Sequence, residues 1–205
     1  MDKSNRVTLS GVIKDIKMSH TIDDVEYSKA NIVVKRRDGK EDVLCLKFKR
    51  FSCPYKDNQT ISLSGNIRSY STQNESGKSK VDVYVFTYFD EPEPVPEGYN
   101  ENNHYDIHGV ICKTDGLRTV SSGKQNIHFI LANNIMSENS RLNSYLPCVA
   151  WGNVAKGLSK CPVGQKIRIQ GEFHSKEYKK VLSDNGDYEI RIAHELVVTS
   201  YDLEN

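Results

Sequence analysis

A series of five short strand-like runs occurs twice in this 205-residue chain. Apolar and polar residues alternate within each run, and Gly, Asn, Asp or Ser residues bound it, as in antiparallel sheets. The first series comprises residues 7–13, 31–34, 43–48, 61–67 and 83–86, and the second comprises residues 105–111, 128–131, 146–151, 167–173 and 188–192. The repeat predicts an all-β chain made of two copies of one five-stranded antiparallel unit.

Aromatic residues stand at two informative points of the repeat. Phe48 ends the third run of the first copy, and Trp151 ends it in the second copy, where Gly152 follows. Gly171 belongs to the fourth run of the second copy, and Tyr178 follows it by seven residues. This spacing suits an oligonucleotide-binding barrel, because flat rings on a curved sheet let bases stack.

A segment rich in proline and acidic residues separates the two copies. Residues 90–103 contain three prolines and several acids, which exclude a helix interior and a sheet centre. The sequence therefore predicts an N-terminal domain at 1–90, a linker at 91–103 and a C-terminal domain at 104–205. Hydrophobic residues make up 37% of the chain, enough for packed cores.

One short helix is expected, and only in the second copy. Val154, Ala155 and Leu158 have helical spacing within residues 153–160, which predicts a helix between the third and fourth strands. The corresponding segment of the first copy, residues 51–59, contains Pro54, which argues against a full helix.

The net charge gives no direct sign of a nucleic-acid partner. The chain has 28 Lys and Arg residues and 27 Asp and Glu residues, a formal net charge of +1. A global basic field is therefore missing, and any contact with nucleic acid must depend on local basic patches. The acids are concentrated at residues 23–24, in the linker and at the C-terminus, so a basic groove elsewhere is compatible with this balance.

Several other functional classes find no support. The five cysteines form no Cys-x-x-Cys pair or zinc-type cluster, so we interpret them as reduced core thiols and expect no metal or cofactor. No apolar run approaches the ~20 residues of a membrane span, which favours a cytoplasmic protein. A nucleophile elbow, a phosphate loop and a His-Glu-x-x-His motif are all missing, so an enzyme is not expected.

The second half of the chain, from residue 103 to about residue 199, resembles the core domain of bacterial single-stranded DNA-binding proteins. Its motifs follow the order and nearly the spacing of that family. They are Gly109-Val-Ile111, Leu117-Arg118, Gly123, Phe129-Ile-Leu-Ala132, Trp151-Gly152 with Ala155, Val163-Gly164, Gly171 and Tyr178. Each motif is weak alone, and their ordered combination is specific.

The first half is similar to the same family more faintly. Its matches are Leu9-Ser-Gly11, residues 31–34, Phe48 and Gly65. It departs from the pattern because Lys49, not glycine, follows Phe48, and because Thr72 stands seven residues after Gly65, where the family has an aromatic residue.

The resemblance implies two tandem five-stranded barrels of the oligonucleotide-binding (OB) fold and a set of DNA contacts. Bases would stack on three aromatic residues of the second barrel, each stack contributing ~1–3 kcal/mol whatever the base. These residues are Tyr145, Trp151 and Tyr178. The cations expected to hold phosphates around them are Arg118, Lys124, Lys156, Lys176 and Lys179. The contacts expected in the first barrel are Arg36, Arg37, Phe48, Lys49, Arg68 and Tyr70.

These observations favour sequence-nonspecific binding of single-stranded DNA in replication, recombination or repair, without enzymatic activity. Since four barrels usually assemble in the resembled family, two barrels per chain suggest a homodimer. The family's acidic C-terminal tip, which recruits repair enzymes, is not expected here, because the chain stops at residues 201–205 directly after the last strand. Two alternatives stay open: a primosome-type or protein-interaction adaptor that binds nucleic acid weakly, and RNA binding on the same aromatic residues.

Overall fold

The computed structural model describes residues 4–50, 53–73, 79–88, 102–137, 140–181 and 186–204. These residues form ten strands and one α-helix, which confirms the all-β prediction. The elements are β1 (Asn5–Ile22), β2 (Val25–Lys35), β3 (Glu41–Lys49), β4 (Thr60–Gln73), β5 (Ser79–Phe86), β6 (Asn103–Thr119), β7 (Gln125–Ser137), β8 (Ser140–Trp151), α1 (Gly152–Leu158), β9 (Lys166–Val181) and β10 (Tyr188–Glu204). Most of the predicted linker, residues 91–101, lies outside the described residues, and β6 begins at Asn103.

Each half of the chain closes into its own barrel. The order β2-β3-β5-β4-β1 returns to its start through a β1–β2 pairing, and β7-β8-β10-β9-β6 returns through a β6–β7 pairing. All neighbours are antiparallel except the third and fifth strands, which run parallel: Leu46 pairs with Val85, and Cys148 pairs with Leu196. Two five-stranded OB barrels in tandem are therefore present, as predicted.

Alternation along the strands fills the two barrel interiors. Leu9, Ile32 and Leu46 are fully buried or nearly so in the first barrel, as are Ile107 and Leu131 in the second. Every second residue of a strand points to the same face, so one apolar set per strand suffices for the core.

The predicted helix is present between β8 and β9. It packs Ala155 and Leu158 into the second barrel. Burial also raises the pKa of the Cys148 thiol. The expectation that all five cysteines lie in the core is wrong for Cys112, which is exposed.

The fifth strand of the second barrel differs from its predicted position. Residues 188–192 were expected to close the barrel, but Leu196 and Val198 are the buried residues of β10. Ile190 and Ile192 lie where β9 and β10 continue past the barrel as a long hairpin, and both are exposed. Alternation alone could not separate the barrel part of this strand from its extension.

The two barrels join through β1 and β6, which pair antiparallel about Val7 and Tyr105. Asn5 pairs with Ile107, and Leu9 pairs with Asn103, so equivalent positions of the repeat exchange places across the junction. This register relates the two barrels by an approximate twofold axis.

Side-chain hydrogen bonds repeat the same symmetry on both sides of the junction. Within the first barrel the Asn5 side chain donates to the Ile67 carbonyl oxygen at 2.7 Å and accepts from the Ile67 N–H at 2.8 Å. Asn103 makes the same pair of bonds with Phe173 in the second barrel, at 2.8 and 2.9 Å. Asn5 also donates to Asn133 Oδ1 across the junction at 2.8 Å, which leaves little freedom for the barrels to rotate against each other.

Tyr105 lies at the centre of the junction and has a buried hydroxyl with no hydrogen-bond partner among the described residues. Burial of that hydroxyl also raises the pKa of Tyr105 well above its usual value. Replacing Tyr105 with phenylalanine is expected to raise the free energy of unfolding by about 1 kcal/mol, because a buried polar atom without a partner costs ~1–3 kcal/mol. Urea titration followed by circular dichroism measures this change. Tyr188→Phe is the control, since its side chain is exposed, and a loss of stability in Tyr105→Phe would contradict the expectation.

Candidate nucleic-acid interface

The outer face of β6, β7 and β8 carries the main cluster of predicted DNA contacts. Strand register places Arg118 beside Asn126, and Asn126 beside Trp151. These three residues form one row across the sheet, which we call the aromatic row. Two β-bulges in β6 produce this alignment, since the pairing with β7 shifts on either side of residues 113–114.

Trp151 lies at the point where β8 turns into α1. Gly152 follows it with a φ of 59°, a left-handed conformation that glycine adopts without steric cost. The turn leaves the indole 43% exposed. Lys124 and Lys156 line the recess beside it, so cations flank the exposed ring.

Tyr145 occupies the opposite end of the same strand face. It is six residues before Trp151 on β8, about 20 Å away at ~3.3 Å per residue, and it is 51% exposed. Its backbone N–H donates to Ser69 Oγ of the first barrel at 2.8 Å. The junction between the barrels therefore fixes this end of the strand.

The side chains on the sheet surface between Tyr145 and Trp151 are partly exposed. Lys113 pairs with Ile130, and Ile130 pairs with Pro147. Ile130 and Pro147 are half-buried, and Lys113 is exposed. A partly apolar floor with a cation at its edge thus connects Trp151 to Tyr145.

Tyr178 lies on another part of the barrel. It is on the outer face of β9, 41% exposed and paired with Arg191 of β10. Since β10 separates β9 from β8, Tyr178 belongs to the hairpin and not to the aromatic row. Lys176 shares its face of β9, whereas Lys179 points to the opposite face and lies 4.5 Å from the ring centroid of Tyr188.

The predicted cations of the second barrel differ in their partners. Arg118 forms an exposed ion pair with Asp115, 3.4 Å from Nη2 to Oδ2. Lys124, Lys156 and Lys176 are exposed and make no ion pair with any residue that the structure describes. These three lysines are therefore available to an anionic ligand.

Phe48 was predicted to be a DNA contact, and the structure corrects this. Its side chain is 1% exposed and faces the core of the first barrel. Leu46 and Cys148 occupy equivalent positions, since each forms the parallel pair of its barrel. Lys49 and Trp151 each lie three residues further on, so Lys49, not Phe48, is equivalent to Trp151. The sequence alignment of the two copies was therefore wrong by one residue. A shift of one residue moves a side chain to the other face of a strand.

Arg36 and Arg68 also have structural roles in place of the predicted DNA contacts. Arg36 donates from Nε to Asp42 Oδ2 at 2.7 Å, and from Nη2 to the Ser175 carbonyl oxygen of the other barrel at 2.9 Å. The hydrogen bond with Asp42 raises the pKa of Arg36. Arg68 is buried, with its guanidinium 4.1 Å from the ring centroid of Phe86.

The other predicted contacts of the first barrel are accessible. Tyr70 is 41% exposed, and Lys47 Nζ lies 4.1 Å from its ring centroid. Arg37 is exposed and lines a recess between the barrels together with His104. Lys49 is half-buried on the outer face of β3.

Asn126, between Arg118 and Trp151, and three lysines of the first barrel were missed from the sequence. Lys14, Lys17 and Lys29 lie on the outer face of β1 and β2, next to Lys47 and Lys49. Cross-strand register brings these residues together, and two β-bulges in β1 set that register. The spacing of the lysines along the chain carried no such signal.

Neither a metal site nor a membrane-spanning helix is present in the described part of the chain. It contains no group of three or more His, Cys, Asp or Glu side chains arranged to hold a metal ion. Its one helix is too short to cross a membrane.

Residues 102–200 match the model of the single-strand binding protein family. The second barrel belongs to the single-strand binding protein family. Two structures of the single-stranded DNA binding protein from Thermus aquaticus resemble the whole chain: a deletion mutant that also carries an arginine-to-alanine substitution (TM-score 0.71) and the wild type (TM-score 0.70). Both are 17% identical and cover 98% of this chain, which covers 94% and 93% of them. No curated protein sequence matches the chain.

The family match covers β6 to β10 of this single-strand binding domain, whereas the structural likeness covers both barrels. The first barrel therefore shares the fold. It has Val43, Lys49 and Thr72 where the second barrel has Tyr145, Trp151 and Tyr178. All three aromatic positions are thus replaced in the first barrel.

Proposed function

We propose that this protein binds single-stranded DNA by stacking bases on the outer face of the second barrel. The observation that carries the proposal is Trp151, a large aromatic residue 43% exposed at a strand end, beside Lys124 and Lys156. An aromatic surface flanked by cations is the usual means of binding single strands, since rings contact bases and cations contact phosphates. Membership of the second barrel in the single-strand binding protein family supports the proposal.

The binding is sequence-nonspecific, since every base has a face that can stack on an aromatic ring. We place Trp151 and Tyr145 on one DNA path across β8 and Tyr178 on its continuation along the β9–β10 hairpin. Arg118, Lys124, Lys156 and Lys176 supply phosphate contacts near these rings, whereas Lys179 lies on the face of the hairpin opposite Tyr178. The protein would coat or hold single strands during replication, recombination or repair, without enzymatic activity.

Fluorescence titration tests this proposal directly, because Trp151 is the one tryptophan of the chain. Oligothymidylate is expected to quench its emission to saturation. The binding constant should fall with salt at a log–log slope of about −0.7 for each phosphate neutralised. Unchanged emission, together with no rise in anisotropy of a labelled oligonucleotide at low salt, would refute the proposal. Competition with a matched RNA oligonucleotide then compares the two nucleic acids.

We propose further that two chains assemble into a homodimer with four barrels. Val181, Tyr188, Ile190 and Ile192 lie on one face of the β9–β10 hairpin and are between 42% and 67% exposed. Lys179 and Glu177 lie on the same face, opposite Ile190 and Ile192. Four exposed apolar side chains on one face favour contact with another protein surface. Sedimentation analysis at micromolar concentration should give twice the mass of the chain, and a monomer would refute the assembly.

The same face supports a second candidate function, a protein-interaction or primosome-type adaptor with weak DNA binding. In that case the hairpin would bind a different protein, and the aromatic row would not bind DNA. A monomer in sedimentation together with no quenching of Trp151 would favour the adaptor over the DNA-binding function.

A further inference from the structure

Tyr145 lies at a point where β8 has a paired strand on one side only. It pairs with Ala132 of β7, whereas among the described residues β8 pairs with β10 only at residues 148–150. The N–H of Tyr145 donates instead to Ser69 Oγ of the first barrel, at 2.8 Å. A side chain of the first barrel thus accepts a hydrogen bond that the second barrel's own strands leave unused.

The contact between Ser69 and β8 is reciprocal. The N–H of Ser69 donates to Ser144 Oγ at 3.3 Å, and Ser144 is 2% exposed. Successive residues of a strand point to opposite faces, so the buried Ser144 directs Tyr145 outward, where its ring is 51% exposed. Two hydrogen bonds to adjacent residues fix the backbone from which this ring projects.

The sheet itself gives the ring of Tyr145 little lateral support. Its neighbour on β7 is Ala132, and the next residue of that row is Val110 of β6. Alanine presents only a methyl group, so large side chains from β7 do not set the position of the ring. The position of Tyr145 therefore depends mainly on its backbone, which Ser69 holds.

The equivalent contact on the other side of the junction holds no ring. The N–H of Val43 donates to Ser175 Oγ at 2.9 Å, and the N–H of Ser175 donates to Asp42 Oδ1 at 2.6 Å. Val43 has the place in the first barrel that Tyr145 has in the second. The molecule thus contains the same serine contact twice, once with an aromatic residue and once without.

We infer that Ser69 is a positioning residue for base stacking, because it holds Tyr145 of the other barrel where a base of the bound strand stacks. This inference rests on the proposed function and gives the first barrel a part in binding at the second. Without the Ser69 hydroxyl, β8 would be less ordered at Tyr145. Binding would then have to order that segment, at a cost in affinity.

The test compares the two serines in the presence and absence of the ring. Ser69→Ala removes the acceptor of the Tyr145 N–H, and Ser69→Thr keeps a hydroxyl. Ser175→Ala is the matched control, since it removes the acceptor of the Val43 N–H. Both alanine variants are also made in the Tyr145→Ala background. Affinity is measured by anisotropy of labelled oligothymidylate of about 16 nucleotides, the most that one barrel covers, and stability by urea titration.

Tyr145→Ala should weaken binding by about 5- to 150-fold, since it removes one stacked base. Ser69→Ala should weaken it by about 2- to 10-fold, the factor that corresponds to one hydrogen bond, and should cause no further loss in the Tyr145→Ala background. Ser175→Ala should lose as much stability as Ser69→Ala and still bind as the wild type does. Ser69→Thr should also bind as the wild type does.

Three results would overturn this inference while quenching of Trp151 by oligothymidylate persists and the proposed function stands. They are unchanged affinity in Ser69→Ala, an equal loss with and without the Tyr145 ring, and an equal loss of affinity in Ser69→Ala and Ser175→Ala. Absence of Trp151 quenching in the wild type would overturn the proposed function and this inference with it.

Discussion

Replacing Trp151 with alanine is expected to weaken the binding of oligothymidylate by about 5- to 150-fold, because stacking one base on an aromatic ring contributes ~1–3 kcal/mol. Trp151 is the largest exposed ring of the second barrel, and cations flank it. Since the substitution removes the fluorescent reporter, anisotropy of a labelled oligonucleotide measures the change.

Two variants make this result specific to stacking. Trp151→Phe keeps an aromatic face and should retain most of the affinity. Tyr188→Ala removes a ring that is 52% exposed on the opposite face of the hairpin from Tyr178, so it should bind almost as the wild type does. Equal losses in Trp151→Ala and Tyr188→Ala would show that the aromatic row has no special role in binding.

The strands and their core residues could be predicted from the sequence because burial imposes a period of two residues. Leu44 and Leu46 on one strand, and Ile167 and Ile169 on another, are buried in this alternation. The helix could be predicted as well, since Ala155 and Leu158 have helical spacing and both are buried. These features depend on neighbours close in the chain, which a sequence displays directly.

Register was not predictable in the same way. Phe48 and Lys49 are adjacent in an alternating strand, and only pairing with distant strands decides which of them is equivalent to Trp151. The grouping of Lys14, Lys17 and Lys29 on one outer face depends on bulges between Lys14 and Lys17 and between Met18 and His20. A bulge inserts one residue without altering composition or average hydropathy, so no local pattern reveals it.

The role of Arg36 escaped prediction for a related reason. Its partner Ser175 belongs to the other barrel and lies 139 positions away in the chain. Val43 N–H donates to Ser175 Oγ at 2.9 Å, and the Tyr145 N–H makes the equivalent bond to Ser69 on the other side of the junction. Arg36 therefore links the two barrels. From the sequence alone, an arginine in a turn cannot be distinguished from a phosphate contact.

The outer faces of the two barrels differ in their side chains. Both barrels close with the same strand order, so equivalent strands present equivalent outer positions. The side chains at equivalent outer positions differ, with Lys49 replacing Trp151. Selection on the buried set preserves the fold, whereas the outer set is free to change the chemistry of each barrel.

Replacing Gly171 with alanine is expected to lower the free energy of unfolding by at least about 3 kcal/mol, the upper end of the cost of overpacking a core. A Cβ atom at Gly171 would overlap the carbonyl oxygen of Val197 and would lie 2.9 Å from the Tyr105 hydroxyl. The first of these is backbone of the adjacent strand β10, so it cannot rotate away. Urea titration with circular dichroism measures the loss as a lower midpoint at unchanged slope.

Gly123→Ala is the matched control, because it adds the same methyl group to the same barrel where nothing lies within 4 Å. Its cost comes only from a φ of 78°, and a left-handed alanine costs about 1–2 kcal/mol. The two variants therefore separate steric overlap from backbone strain. A smaller loss for Gly171→Ala than for Gly123→Ala would mean that β9 and β10 can move apart at Val197, and the close strand approach would then not be what selects glycine there. The expected larger loss would extend to Gly65, where a Cβ would lie 2.7 Å from the Phe86 carbonyl oxygen, since both barrels bring the equivalent strands together at the same point of the repeat.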